Sequence, residues 1–255
     1  MSKSAPASTL TYQALSIAGG LALWFVAAAF IESPLLPGPV AVAAFTREAI
    51  ASGEMPYHMA ITLARVAASF VIAMALGLAI GLLMGQSQLA DRIGDPWLIF
   101  FLNTPALVVI IMAYVWFGLT EAAAVGAVAL NKIPNVAVTV REGARALDPR
   151  LDDLARVYRL SQFERLRQVV VPQMQPFFAA AARSGISLIW KIVLVVELLG
   201  RSNGVGFQLH LYFQMFDVTA ILGYTLVFVA LMIAIEVFLV QPYERYATRW
   251  RIRSA

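Results

Sequence analysis

Residues 151–176 read LDDLARVYRLSQFERLRQVVVPQMQP. They lie in a polar connection, 141–176, between two apolar runs at 121–140 and 177–199. A connection that long without structure of its own is uncommon, so this one is expected to fold. Leu151, Leu154, Val157 and Tyr158 recur at the spacing of one helix face. Ser161 followed by Glu164 has the pattern of a capping box at the start of a second helix. Phe163, Leu166, Val169 and Val170 give that helix an apolar face, and Pro172 and Pro176 are expected to stop it before the next run. The spacing predicts a helix-turn-helix platform that offers an amphipathic helix to a groove on a partner. The plainer alternative is a solvated surface loop.

Outward from this platform the chain is apolar. Of 255 residues, 60% are hydrophobic and 13% charged, where a soluble domain carries about 25% charged residues. Apolar runs at 12–31, 58–84, 96–117, 121–140, 177–199 and 218–240 are each near the roughly 20 residues that cross a bilayer. The predicted fold is an all-α membrane protein: one domain over residues 1–255, six transmembrane helices, and a cytoplasmic helical loop at 141–176. Residues 1–11 read as a short disordered tail. The first run is followed by Glu32 and by Pro34, Pro37 and Pro39 rather than a small-residue cleavage site, so it reads as a retained span. Residues 40–52 are expected to form a short surface helix.

The net charge of +4 is carried by loop arginines and does not call for nucleic acid. Lys3, Arg92, Arg141, Arg145, Arg150, Arg156, Arg159, Arg165, Arg167, Arg245, Arg249, Arg251 and Arg253 all fall on one side of a six-span chain, and only Arg47 and Arg201 on the other. The rich side, with both termini, is expected to be cytoplasmic.

Polar residues inside the runs are candidates for a solute path, because charge in hydrocarbon is costly and usually faces a cavity or a partner. They are Asn103 and Thr104 before Pro105, Asn131, Lys132 and Asn135 in the fourth run, and Lys191 and Glu197 in the fifth. Lys132 is the leading candidate for favouring an anionic solute. A structural ion pair or a snorkelling lysine are the alternatives. Arg183 and Glu197, near helix ends, lean toward structural roles, and Glu236 is a candidate partner for a lysine. Gly77, Gly81 and Gly85 share one helix face and would let another helix approach closely. His58 and His210 stand apart, so a metal site is not expected. The chain has no cysteine, HExxH, GxSxG or G-x4-G-K-[ST] segment, which argues against an intramembrane enzyme and against ATP hydrolysis by this chain alone. The folded loop argues against an ion-driven transporter, whose coupling needs no such dock.

The loop resembles that of permeases in binding-protein-dependent ABC importers, written EAA-x3-G-x9-I-x-LP. Asp153, Leu154 and Ala155 stand at the EAA positions, Arg159 at the glycine, and Pro172 at the final proline, with Val171 in place of leucine. Leu36-Pro37-Gly38-Pro39, Thr62-Leu63-Ala64-Arg65, Trp116-Phe117-Gly118 and Glu197-Leu198-Leu199-Gly200 followed by Gly204-Val205-Gly206 resemble further family segments, most closely those of the nitrate, sulfonate and taurine subfamily. The resemblance implies a type I importer permease in the inner membrane. It would be a homodimeric pore with two copies of an ATP-binding subunit docked on the loops and an external binding protein delivering solute. The docking residues would be Asp153, Leu154, Ala155, Val157, Tyr158, Arg159, Leu160, Ser161 and Pro172. This chain would bind no cofactor; ATP and Mg would sit on the partner.

Overall fold

The computed structural model describes residues 7–31 and 33–248. Residues 1–6 of the expected tail, Glu32, and the arginines Arg249, Arg251 and Arg253 lie outside the described residues. Among the described residues all regular structure is helical.

Helix α1 (Ala7–Ile31) is followed by α2 (Pro39–Ala51), α3 (Glu54–Gln86), α4 (Gln88–Asn103) and α5 (Ala106–Phe117). Then come α6 (Glu121–Arg145), α7 (Pro149–Val157), α8 (Gln162–Arg165), α9 (Val171–Gly200), α10 (Val205–Gln214), α11 (Val218–Ile235) and α12 (Gln241–Thr248). Five helical stretches are long and apolar enough to cross a membrane, and a sixth arises if α4 and α5 are taken together.

That sixth stretch contains the apolar run expected as a span at 96–117, and it is broken at Pro105. The chain bends by 97° between α4 and α5. Two local causes meet there. Pro105 cannot donate to a continuing helix. Asn103 Nδ2 and Thr104 Oγ1 donate to the carbonyls of Ile99 and Phe100, at 2.7 and 2.8 Å, in competition with the backbone. Residues 7–11 begin α1 rather than extending a tail, and α10 lies in the connection between the fifth and sixth runs.

The core forms where α3, α6 and α9 pack on one another. Gly77, Gly81 and Gly85 all face α6. A Cβ on Gly77 would lie 2.6 Å from Val136 Cβ, and one on Gly81 would lie 2.5 Å from the Ala137 carbonyl oxygen. The two backbones approach as closely as they do only because these side chains are absent.

A further correction concerns Pro172 and Pro176. They do not stop the second loop helix: residues 162–200 run on as one helical stretch into the fifth span. The reason is a π turn, Leu166–Val170, in which the Val171 N–H bonds back to the Leu166 carbonyl. The wider turn relaxes the clash that a proline ring makes one turn back. The same device recurs at Glu236–Val240, where Gln241 N–H reaches the Glu236 carbonyl just before Pro242.

Candidate functional site

Two sites stand at opposite ends of α9. At its start is the loop platform. Asp148 caps α7 by accepting from the Arg150 N–H at 2.9 Å, and its own N–H donates to Gln173 Oε1 at 2.9 Å, which ties the base of the loop to α9. Asp152 pairs with Arg165 across the two loop helices. Ser161 and Glu164 form the reciprocal capping box.

Between the helices, Leu160 N–H donates to the Ala155 carbonyl at 2.9 Å and Arg159 N–H to the Arg156 carbonyl at 3.0 Å. This pair of bonds is a Schellman ending, with Arg159 as the residue just past the helix. Arg159 accordingly has φ 51°. A glycine in the family pattern fits here because only glycine takes that conformation freely. Arg159 keeps the turn at a cost of about 1–2 kcal/mol. Arg159→Gly is expected to raise the melting temperature in detergent by a few degrees, from about 0.5–1 kcal/mol of relieved strain. Slower amide exchange in the loop should accompany it. A lowered midpoint would contradict the strain.

Ala155 faces inward, only 3% exposed, while Leu154, Val157, Tyr158 and Phe163 are 49, 77, 74 and 70% exposed. The platform thus turns its large apolar side chains away from the protein. Asp153 is exposed beside them. Pro172 sits half-buried where the platform becomes α9.

At the far end of α9, three of the sequence segments converge on one ionic cluster. Glu197 is fully buried, and its carboxylate accepts from Arg65 Nη1 at 2.8 Å, Thr62 Oγ1 at 2.9 Å and the Gly206 N–H at 2.8 Å. Arg65, 4% exposed, also reaches Glu121 at 2.6 Å and the Asn203 carbonyl at 2.9 Å. Arg201 Nη2 donates to the same Glu121 oxygen, Oε1, at 2.5 Å. Gly204 and Gly206 are small because a Cβ on either would strike Glu197. His58 accepts from the Gly204 N–H at 2.9 Å through Nδ1 and lies 2.7 Å from Gln208 Nε2.

Of its two readings as path or structural residue, the geometry of Glu197 is that of a carboxylate enclosed by protein donors, with Arg65 as its cation. Arg65 and Glu121 were missed as a pair, although a lone arginine inside the apolar run 58–84 is itself a signal that a buried partner exists.

The other path candidates are dispersed. Lys132 is 2% exposed, enclosed by α6, Phe70 of α3 and Gly185 of α9. It fronts no open surface, contrary to its leading place in the sequence reading. Asn131 and Asn135 are partly buried on α6. Thr104 borders an apolar cavity of about 560 Å³ between the α4–α5 bend and α6, and Asn103 is exposed at the bend. Lys191 is exposed on α9, its ammonium 5.4 Å from the Trp190 ring centroid. Glu236 pairs with Arg183 at 3.3 Å rather than with a lysine.

Residues 73–252, which include α6, the platform and α9, match the family described as binding-protein-dependent transport system inner membrane component. The chain belongs to that family. The permease is 28% identical over 233 residues to a Bacillus subtilis protein named as the aliphatic sulfonates transport permease SsuC, covering 91% of this chain and 84% of that one. It is 23% identical over 197 residues to the nitrate import permease NrtB of Synechococcus elongatus, covering 73% and 71%. The MetNI methionine ABC transporter in inward-facing form contains a chain that superposes with a TM-score of 0.64 at 19% identity, covering 74% of the permease and 93% of that chain. The permease has the type I ABC importer fold and is a multi-pass membrane subunit of a transport system.

Proposed function

We propose that this permease forms the solute path of an ATP-driven importer and is driven by a separate ATPase that docks on residues 151–176. The observation that carries the reading is the exposed apolar face of Leu154, Val157, Tyr158 and Phe163 on a platform continuous with a membrane helix. Apolar side chains gathered at a loop tip are what a partner groove buries. The cap, the Asp152–Arg165 pair and the Gln173 tie make the platform stiff, so a push on the loop is delivered to α9. Helices packed at glycine contacts respond by shifting between discrete arrangements, as alternating access requires.

The remaining parts of the reading follow from the family. Two permease copies form the pore, two ATPase copies carry ATP and Mg beneath the loops, and a binding protein delivers the solute. The loop side, with both termini, is cytoplasmic, supported by its arginines. The solute is a small anion, supported by the sulfonate and nitrate named for the two relatives.

The test is purification of the tagged full chain from its native host in mild detergent, with partners identified by mass spectrometry. A nucleotide-binding ATPase in stoichiometric yield is expected. Its absence, under conditions that keep membrane complexes intact, would overturn the reading in favour of a self-sufficient carrier.

A further inference from the structure

The charged groups at membrane depth divide sharply. Arg65 is closed in by Glu197, Glu121 and Asn203. Arg183 bridges Glu236 and Glu244, at 3.3 and 2.6 Å. Lys132 is sealed inside the protomer. Lys191 is exposed like Arg183 but, unlike it, has no carboxylate partner among the described residues. It lies nine residues before Gly200, the end of α9, or roughly 14 Å along the axis, well inside the apolar run. Snorkelling is poorly suited to that depth, because the side chain spans only about half the distance.

Its face is polar. Ser184 and Ser187 precede Lys191 by seven and four residues, so all three project from one side of the helix, and all three are exposed. The serine hydroxyls donate to the carbonyls of Ala181 and Ser184, each at 3.2 Å. Those bonds are local to the helix and can be exchanged by a rotamer change for bonds to a passing group. Two hydroxyls and an ammonium on one face suit an oxyanion and repel a cation. A lipid-facing surface carries neither a free ammonium nor a polar stripe at this depth.

We infer that the α9 face bearing Ser184, Ser187 and Lys191 lines the solute path, and that Lys191 sets its preference for a solute carrying a single anionic head such as a sulfonate or carboxylate. The inference rests on the permease reading and names the selecting residue within it.

The chain has no cysteine, so Ser187→Cys gives one thiol next to Lys191 on the same face. The full-length variant, in right-side-out and inside-out membrane vesicles with and without ATP, is treated with a sulfonate-bearing and with a trimethylammonium-bearing methanethiosulfonate. The two labelling rates are compared, in the Lys191 background and with Lys191→Gln, Lys191→Arg or Lys191→Glu added. The anionic-to-cationic rate ratio is expected to fall by about tenfold with Lys191→Gln, to hold with Lys191→Arg and to fall further with Lys191→Glu. A cysteine at the exposed Phe163, labelled equally in every background, verifies that each variant is folded. A ratio indifferent to residue 191 would overturn the role of Lys191. No labelling by either reagent in any vesicle would place the face against lipid or a second copy and overturn the path assignment. Co-purification of the ATPase is scored in the same variants. A charge preference indifferent to residue 191 with the ATPase retained refutes this inference alone, while absence of an ATPase from the unaltered chain refutes the permease reading.

Discussion

Replacing Arg65 with methionine is expected to destabilise the folded chain by about 3–5 kcal/mol, because it leaves the Glu197 carboxylate charged and fully buried without its cation. In detergent this corresponds to a melting temperature lower by roughly 10 °C. Glu197→Gln should cost less, since Arg65 keeps Glu121 and the amide oxygen can still accept from Gly206 and Thr62. Glu121→Gln should cost least, about 1 kcal/mol or less, because that carboxylate is 55% exposed. The Arg65→Met, Glu197→Gln pair should fall short of the sum of its parts, as neither charge is then stranded. A ranking in which Glu121 matters more than Glu197, or strict additivity of the pair, would show that the cluster is not the unit described.

The second large effect is at the opposite end. Charging the platform with Leu154→Asp and Val157→Asp together is expected to abolish recovery of the ATPase with the tagged chain. Two carboxylates would have to be desolvated in an apolar groove, and binding weakened by about 30-fold or more does not survive purification. The melting temperature of the isolated permease should stay within about 2 °C of the parent, since both side chains point into solvent. Ala155→Asp is the contrast: at 3% exposed it should unfold the platform itself. Undiminished ATPase recovery with the double variant would move the docking surface elsewhere.

Much of this molecule could be read in advance, and the failures share a cause. The apolar runs, the capping box at Ser161 and the glycine row at Gly77, Gly81 and Gly85 are signals carried by near neighbours in the chain. The continuous helix through Pro172 departs from the stop expected there. A proline breaks a helix or passes through it according to the turn before it: a π turn precedes Pro172, and side chains that capture backbone carbonyls precede Pro105. Lys132 and Lys191 look equivalent in sequence, each a lone lysine in an apolar run.

The sequence by itself determined that this chain is a helical membrane protein with a folded loop, because hydrophobic length, helical spacing and capping patterns act over a few residues. It also marked the family, through short segments in a fixed order. Only the tertiary structure decided which charges are spent on the fold and which are left exposed. Arg65 and Glu197 stand 132 residues apart in the chain and meet at the end of the membrane core. Lys132 turns inward and Lys191 outward because α6 is packed on both sides by α3 and α9, while one face of α9 is left uncovered. Burial and pairing depend on which helices are neighbours, and that is fixed by packing over the whole chain rather than by any local pattern.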